Sequence, residues 1–145
     1  MNVDMSVAPE IAILAERVPA QAGAREAGTP PTIATLAGEL DALARRPERW
    51  WGAVRFSEGR SEIIDLEFPG FWAVTLAPDD PRVYCDCELM SVVAGTVNEE
   101  SVADGGAVTS TLRPGRTRVH GQGQVHQIRA GGDGFAVSLH VRGIV

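Results

Sequence analysis

The two cysteines of the chain, Cys85 and Cys87, are separated by a single residue. Alternate residues of a β-strand face the same side of the sheet, so a strand here would direct both thiols one way and Asp86 the other. A disulfide between them is not expected, because a bridge across one residue strains its preferred geometry and a reducing compartment disfavours it. Thiolates suit zinc and copper(I), so the pair is the first candidate for chemistry.

Two histidines, His126 and His140, are further candidates for a catalytic role. His126 follows a tight turn at Gly121–Gly123, and His140 lies on an alternating stretch in phase with Ser138 and Arg142. The pKa of histidine is naturally near neutral, which suits acid and base catalysis. A guanidinium grips carboxylates by paired hydrogen bonds, so Arg142 could recognise an anion. The competing interpretation is a hydrogen-bonded core histidine beside a solvated terminal arginine.

The part of the chain that must position these residues has the hydrophobic period of β-strands. Short predicted strands are separated by turn sequences such as Pro69-Gly70 and Asp104-Gly105-Gly106. No predicted helix is long enough to connect parallel strands, so residues 47–145 are expected to form one domain that is either a β-sandwich or a jelly-roll β-barrel. The predicted strands are Ser61–Glu67, Phe71–Leu76, Val83–Cys87, Met90–Glu99, Ala107–Leu112, Arg116–His120, Val125–Arg129 and Phe135–Val141.

Residues 1–46 have a different character and are predicted to be helical. A short helix is expected over 10–18, followed by a mobile linker rich in Pro, Gly and Ala over 19–31. A second helix is expected to be capped at Thr29-Pro30 and to end near Arg46. Its apolar residues recur every three or four positions, at Ile33, Leu36, Leu40 and Leu43, so one face should dock on another element.

Composition excludes several classes of protein. The chain has 145 residues, a net charge of −6 and a pI near 5.0, with dispersed basic residues, which argues against nucleic acid as a partner. No apolar run is long enough to span a membrane. The N-terminus lacks a cationic start followed by an apolar core, so a cytoplasmic location is expected.

The segment from Gly115 to Ala130 resembles the second conserved motif of the cupin superfamily, whose turn directs a histidine into the barrel. The motif's turn proline is Gly121 here, but its spacing is intact. The first cupin motif, a pair of histidines one residue apart, has its counterpart in Cys85-Asp86-Cys87. A closer resemblance, to the cysteine dioxygenase-like thiol dioxygenases, covers about 47–141. Its marks are Trp50-Trp51-Gly52, Arg55-Phe56, Trp72 to Thr75 leading to Pro78, Val92-Val93-Ala94-Gly95 and Ala136-Val137-Ser138-Leu139-His140.

This resemblance implies a mononuclear iron site that adds both atoms of dioxygen to a small thiol. The three metal-ligand positions of the family correspond to Cys85, Cys87 and His126, so two of the three histidines are replaced by cysteine. Thiolates beside iron and oxygen are liable to oxidation, which disfavours ordinary dioxygenase chemistry. The expected cofactor is one divalent metal ion, zinc or iron, with copper as a third candidate, or no metal if the site has degenerated.

Other family positions are altered as well. The Ser-His-Tyr relay corresponds to Ser138, His140 and Arg142, so the tyrosine is lost. No arginine lies near Ile63, where the family binds the substrate carboxylate, and free cysteine is therefore not the expected substrate. His120 corresponds to an aromatic family position and is not expected to be a ligand.

Cupins often dimerise through barrel edge strands, which implies a homodimer. Two acidic pairs, Asp79-Asp80 and Glu99-Glu100, are predicted to be solvated surface.

Three interpretations of Cys85, Cys87 and His126 remain open. They bind a metal, or the metal is lost and the cysteines pack in the core, or one thiol is a nucleophile whose pKa is lowered by His126. The leading functional hypothesis is an enzyme that acts on a small organic molecule and uses the metal. The alternatives are a metal-independent isomerase, lyase or cyclase with His126 and His140 as acid and base, and a non-catalytic ligand-binding or partner protein.

Overall fold

The computed structural model describes residues 31–80, 82–103, 105–120 and 126–143. Helix α1 covers Ile33–Ala44, and two short 3-10 helices follow at Pro47–Arg49 and Trp51–Ala53. The rest is mostly β, as predicted. The strands are β1 (Glu62–Asp65), β2 (Phe71–Leu76), β3 (Val83–Cys85), β4 (Leu89–Ala94), β5 (Val97–Ala103), β6 (Gly106–Leu112), β7 (Thr117–Val119), β8 (His126–Ala130) and β9 (Ala136–Val141).

The strands form two antiparallel sheets. One has the order β1-β2-β9-β4-β7 and the other the order β3-β8-β5-β6. The chain crosses between them immediately after Cys85, because β3 belongs to the four-stranded sheet and β4 to the five-stranded one. This architecture confirms the predicted jelly-roll barrel. It also places the Cys85-Asp86-Cys87 sequence at a junction of the two sheets.

The five-stranded sheet is covered on both faces, and all six residues of β9 are buried. Its outward residues Val137, Leu139 and Val141 pack with α1, whereas Ala136 belongs to the core between the sheets. Because side chains alternate along a strand, Ser138 and His140 share the inward face with Ala136. Both polar residues are fully buried. The sheet therefore presents a hydroxyl and an imidazole to the barrel interior.

Helix α1 begins three residues later than the sequence predicts, since its cap was expected at Thr29-Pro30. Thr32 is the N-cap, and its hydroxyl accepts a hydrogen bond from the backbone N–H of Thr35 at 3.0 Å. Three of the four predicted face residues, Leu36, Leu40 and Leu43, pack on the five-stranded sheet, but Ile33 is exposed. The predicted helix over 10–18, most of the linker over 19–31 and the turn at Gly121–Gly123 lie outside the described residues. No helix of the described part is both long and apolar enough to cross a bilayer.

The single strand predicted over Met90–Glu99 is wrong, because the chain bends between β4 and β5. Gly95 lies at the bend with a φ of 70°, a left-handed conformation that glycine adopts without steric cost. A Cβ atom at this position would lie 2.4 Å from the carbonyl oxygen of Phe135. Glycine is therefore required here both for its φ and for the close approach of the neighbouring backbone.

We expect Gly95→Ala to lower the free energy of unfolding by about 3 kcal/mol or more, combining left-handed strain and overpacking. The matched control is Gly59→Ala. Gly59 has the same φ of 70°, but its added Cβ would meet no atom within 4 Å. We expect the control to lose only the strain, about 1 kcal/mol. Urea denaturation monitored by tryptophan fluorescence measures both, and equal losses would show that the backbone contact is unimportant.

Candidate metal centre

The two thiols lie at the end of β3 and in the link to β4, and both point into the barrel. Cys85 is 6% exposed and Cys87 is fully buried, whereas Asp86 between them is exposed. The two Sγ atoms are 2.9 Å apart and share a hydrogen bond. Both cysteines are free. The alternation expected from the sequence thus holds although only Cys85 lies within the strand.

His140 reaches the thiols from the opposite sheet. It lies between Trp72 of β2 and Met90 of β4 in the strand register. Its Nδ1 atom is 3.1 Å from the Sγ of Cys85 and 3.3 Å from the Sγ of Cys87. Its Nε2 atom is 2.7 Å from the hydroxyl of Ser138. If Nε2 carries the proton and donates a hydrogen bond to the hydroxyl oxygen of Ser138, the lone pair of Nδ1 faces both sulfurs, as a metal ligand requires.

His126, the ligand implied by the family motif, lies opposite Cys85 in the pairing of β3 with β8. Its Nε2 atom faces Cys87, at 3.7 Å from the sulfur. The Nδ1 atom is buried and has no hydrogen-bond partner. Nε2 of His126 thus lies farther from the thiols than Nδ1 of His140, which is within 3.3 Å of both sulfurs.

A buried ion-pair network lies behind Cys87. The Nδ1 atom of His120 is 4.0 Å from the Cys87 sulfur, and its Nε2 hydrogen-bonds to the carboxylate of Glu99. The ring of His120 stacks on that of His126, with centroids 3.6 Å apart. Arg118 donates from Nε to the second oxygen of Glu99 at 3.0 Å. His120 was not expected to be a ligand, and this network was not predicted from the sequence.

The prediction that Glu99 is solvated was wrong, since its side chain is 1% exposed. It was placed at the end of one long strand, but it is the third residue of β5. Adjacent residues of a strand face opposite ways, so only Glu100 of the acidic pair is outside the barrel. Alternation with Val97, which is buried, was the signal that could have identified Glu99.

The thiol pair and the carboxylate have shifted pKa values. The pKa of Cys85 lies well below its ordinary value, first because of its hydrogen bond with Cys87, and His126 and His140 lower it further. Burial raises the pKa of Cys87, and the neighbouring Cys85 thiolate raises it further. Burial acts to raise the pKa of Glu99, but the hydrogen bond from His120 and the nearby Arg118 hold it below its ordinary value. In the absence of a metal, these two shifts favour a thiolate at Cys85 over one at Cys87.

A cavity of about 550 Å³ opens beside this cluster. Cys85 forms part of its wall, together with Trp72, which stacks on the ring of His140 at a centroid distance of 5.5 Å. Arg142 and Asp86 form an ion pair at the wall, and the guanidinium lies 5.5 Å from the centre of the Trp72 ring. The remaining lining residues are Ile63, Asp65, Gly70, Val74, Val83, Tyr84 and Gly143.

The ligand atoms of the described part fall into two compact groups that could hold a metal ion. The front group is Cys85, Cys87 and His140, and the rear group is Cys87, His120 and His126. The atoms of each group lie within 4.8 Å of one another, and every member is buried. The set Cys85, Cys87 and His126, implied by the family motif, is neither of them.

The front group fits a metal by its donor set. Two thiolates and an imidazole are ligands that zinc accepts at catalytic centres, where a fourth position stays open. A tetrahedral zinc ion with bonds of about 2.3 Å to sulfur would hold two thiolates about 3.8 Å apart. The sulfurs are now 2.9 Å apart, and a proton lies in the hydrogen bond between them. Binding therefore requires loss of that proton and a small separation of the two side chains.

The fold and this site together define a small cupin-type barrel with a buried cysteine and histidine cluster. A cupin superfamily protein from Desulfitobacterium hafniense DCB-2 has a similar structure, with a TM-score of 0.50 and 11% identity over 65% of this chain and 88% of that chain. The Drosophila melanogaster CENP-C cupin domain matches with a TM-score of 0.45 and 18% identity, over 56% of this chain and 62% of that chain. This second match spans less than two thirds of the Drosophila chain.

A third similar structure is the hydroxypropylphosphonic acid epoxidase from S. wedmorenis in complex with fosfomycin. Its TM-score is 0.43 at 15% identity, over 55% of this chain and 43% of that chain. Identities this low show the fold alone. No protein-family model matches the sequence, and no curated protein matches it at a significant level. The relation to the thiol dioxygenase branch stays a prediction from the motifs.

Proposed function

We propose that the protein is a metal-dependent enzyme acting on a small organic molecule, with the metal held by the front group. The observation that carries this proposal is that Cys85 takes part in both the ligand group and the cavity wall. Its sulfur belongs to the compact ligand group, and the same residue lines the 550 Å³ cavity. A metal bound by Cys85, Cys87 and His140 would therefore lie next to a molecule in the cavity.

Zinc is the ion that the front group suits best. Two thiolates neutralise its charge inside the barrel, and three protein ligands leave one position open. When bound, such an ion acts as a Lewis acid that polarises a carbonyl or lowers the pKa of water. The altered ligands argue against oxygen chemistry at iron, so descent from thiol dioxygenases with a changed reaction is part of the proposal.

The surrounding residues have supporting roles in this proposal. Ser138 fixes the ring of His140 by the 2.7 Å hydrogen bond, and Trp72 stacks on its face. Arg142 has the position to bind an anionic part of the substrate, at the cost of its ion pair with Asp86. A homodimer and a cytoplasmic location remain predictions from the sequence.

Elemental analysis of protein purified without oxygen tests the proposal. We expect about one metal ion per chain in the unaltered protein and less than about a tenth of that in Cys85→Ser and His140→Ala, because each removes one of three ligands. His126→Ala should retain the metal if His140 is the ligand and lose it if the family motif is right. Thr109→Ala, on the exposed strand β6, is the control.

Thermal unfolding of each variant separates loss of the metal from loss of the fold. A folded, unaltered protein that contains no metal and binds none on titration with zinc would contradict the proposal. Retention of a full metal complement by folded Cys85→Ser would contradict the ligand assignment. Turnover across a panel of small molecules that survives chelation would favour the metal-independent alternative.

A further inference from the structure

We propose that the cluster also holds a pair of copper(I) ions, one in the front group and one in the rear group, with the Cys87 thiolate shared between them. This inference rests on the proposed function, since it requires that the front group binds a metal. It goes further by assigning a second site to Cys87, His120 and His126. The ligand class is a soft, singly charged metal ion.

The rear group has its own set of donors. The Nδ1 atom of His120 and the Nε2 atom of His126 are 4.0 Å and 3.7 Å from the Cys87 sulfur. The carboxylate of Glu99 accepts a hydrogen bond from Nε2 of His120, which leaves the Nδ1 lone pair facing the sulfur. A carboxylate that orients an imidazole in this way is the usual outer partner of a metal-bound histidine.

The spacing of the donors favours two ions over one. A single tetrahedral ion brings its four ligand atoms within about 4 Å of one another. In the described residues, the atoms that meet a 4.8 Å limit form two sets of three, and no set of four. Both sets contain Cys87. The cluster is therefore too extended for one ion and has a central sulfur that both ions can use.

Charge decides which ions can occupy both groups together. The Cys85 and Cys87 thiolates carry two negative charges, and Glu99 is already balanced by Arg118 at 3.0 Å. Two copper(I) ions or one zinc(II) ion make the site neutral, whereas two zinc ions leave two positive charges in a buried site. Uncompensated buried charge is strongly unfavourable. Thiolates also select copper(I) over harder ions.

The test is a pair of anaerobic titrations of the whole protein, one with copper(I) and one with zinc, each against a chromophoric competitor. Native mass spectrometry counts the bound ions, and the ultraviolet thiolate-to-copper band reports sulfur ligation. We expect two copper(I) ions per chain but one zinc ion. His120→Gln keeps an N–H that can reach Glu99 and removes the ligand nitrogen, so it should bind one copper ion and still one zinc ion.

His126→Gln is the second variant, because His120 follows β7 and His126 begins β8, so the two substitutions are not both expected to disturb folding. Gln127→Ala, next to His126 on β8, is the matched control and should bind two copper ions. One copper ion in the unaltered protein, with one zinc ion, would overturn the second site and leave the proposed function standing. Two copper ions in both folded histidine variants would also overturn it. Binding of neither metal would overturn both proposals.

Discussion

Glu99→Ala is expected to reduce the free energy of unfolding by about 3–5 kcal/mol, the usual effect of removing one partner from a buried ion pair. Glu99 is 1% exposed and contacts both His120 and Arg118. Its removal leaves two buried or half-buried donors without their acceptor and opens a cavity beside Cys87. Urea denaturation at neutral pH measures the loss.

The neighbouring residue is a matched control for this prediction. Glu100 is partly exposed and pairs with Arg82 at 3.6 Å on the outside of the barrel. Exposed pairs contribute little, so Glu100→Ala should cost less than about 1 kcal/mol. Comparison of Glu99→Ala with Glu100→Ala thus tests whether Glu99 points into the barrel and Glu100 points outward. Similar losses at the two positions would show that the network around Glu99 does not stabilise the fold.

Glu99→Gln separates the charge from the shape of the side chain. The pKa of Glu99 lies below its ordinary value of 4.5 in the folded protein, so folding favours the ionised form. The stability that this ionisation contributes is complete above the ordinary value and is lost as the pH falls through the folded pKa. The difference in unfolding free energy between the unaltered protein and Glu99→Gln should therefore shrink in acid. A difference that is constant from neutral pH into that range would contradict this origin.

The β-barrel was predictable because alternation is a local property of the sequence. The stretch from Ala136 to His140 alternates between the two faces of β9, and the stretch from Cys85 to Cys87 alternates as expected. These patterns need no knowledge of which strands pair. They were sufficient to predict that the two thiols face the barrel interior and that Ser138 and His140 share a face.

The composition of the cluster was less predictable because it depends on contacts between distant parts of the chain. The fold brings His140 to Cys87 across 53 residues, and it does so because β9 lies between β2 and β4. The order of strands in a sheet cannot be read from periodicity. The motif predicted His126 as the ligand, whereas the nearer approach of His140 to the thiols depends on how the two sheets pack together.

The bend at Gly95 explains the error at Glu99. Residues 90–99 have a continuous β pattern, and a single glycine within such a run is compatible with an uninterrupted strand. The close contact of Gly95 with Phe135 is a long-range feature that ends β4. β5 then begins at Val97, which moves Glu99 from a supposed strand end into a strand interior. Because the bend between β4 and β5 was not predicted, the burial of the Glu99 carboxylate was not predicted either.

In the metal-free protein, Cys85 should react with iodoacetamide at least about tenfold faster than Cys87 at neutral pH. The lowered pKa of Cys85 makes its sulfur a thiolate, which is the reactive form, and the residue lines the cavity. Cys87 is fully buried, and its raised pKa keeps it protonated. Peptide mass spectrometry at timed intervals, after removal of the metal by a chelator, gives both rates.

The pH dependence of the alkylation rate of Cys85 tests its pKa more directly than the comparison of the two cysteines. An ordinary thiol with a pKa near 8.5 becomes about tenfold less reactive for each unit of pH below that value. Because Cys85 is already a thiolate, its rate should be nearly constant from about pH 6 to 8. Cys87→Ala removes the hydrogen bond that contributes most to the lowered pKa. In that variant the rate of Cys85 at pH 6 should fall, and its dependence on pH should become steeper.

Two further samples make this result interpretable. In urea, both cysteines should react at similar rates, because burial and the hydrogen bond between the sulfurs are lost. Saturation with zinc should protect Cys85 in the unaltered protein if it is a metal ligand, since a coordinated thiolate is no longer free to attack. A tenfold rise in the Cys85 rate per unit of pH, or faster reaction at Cys87, would contradict a lowered pKa at Cys85 and a raised pKa at Cys87.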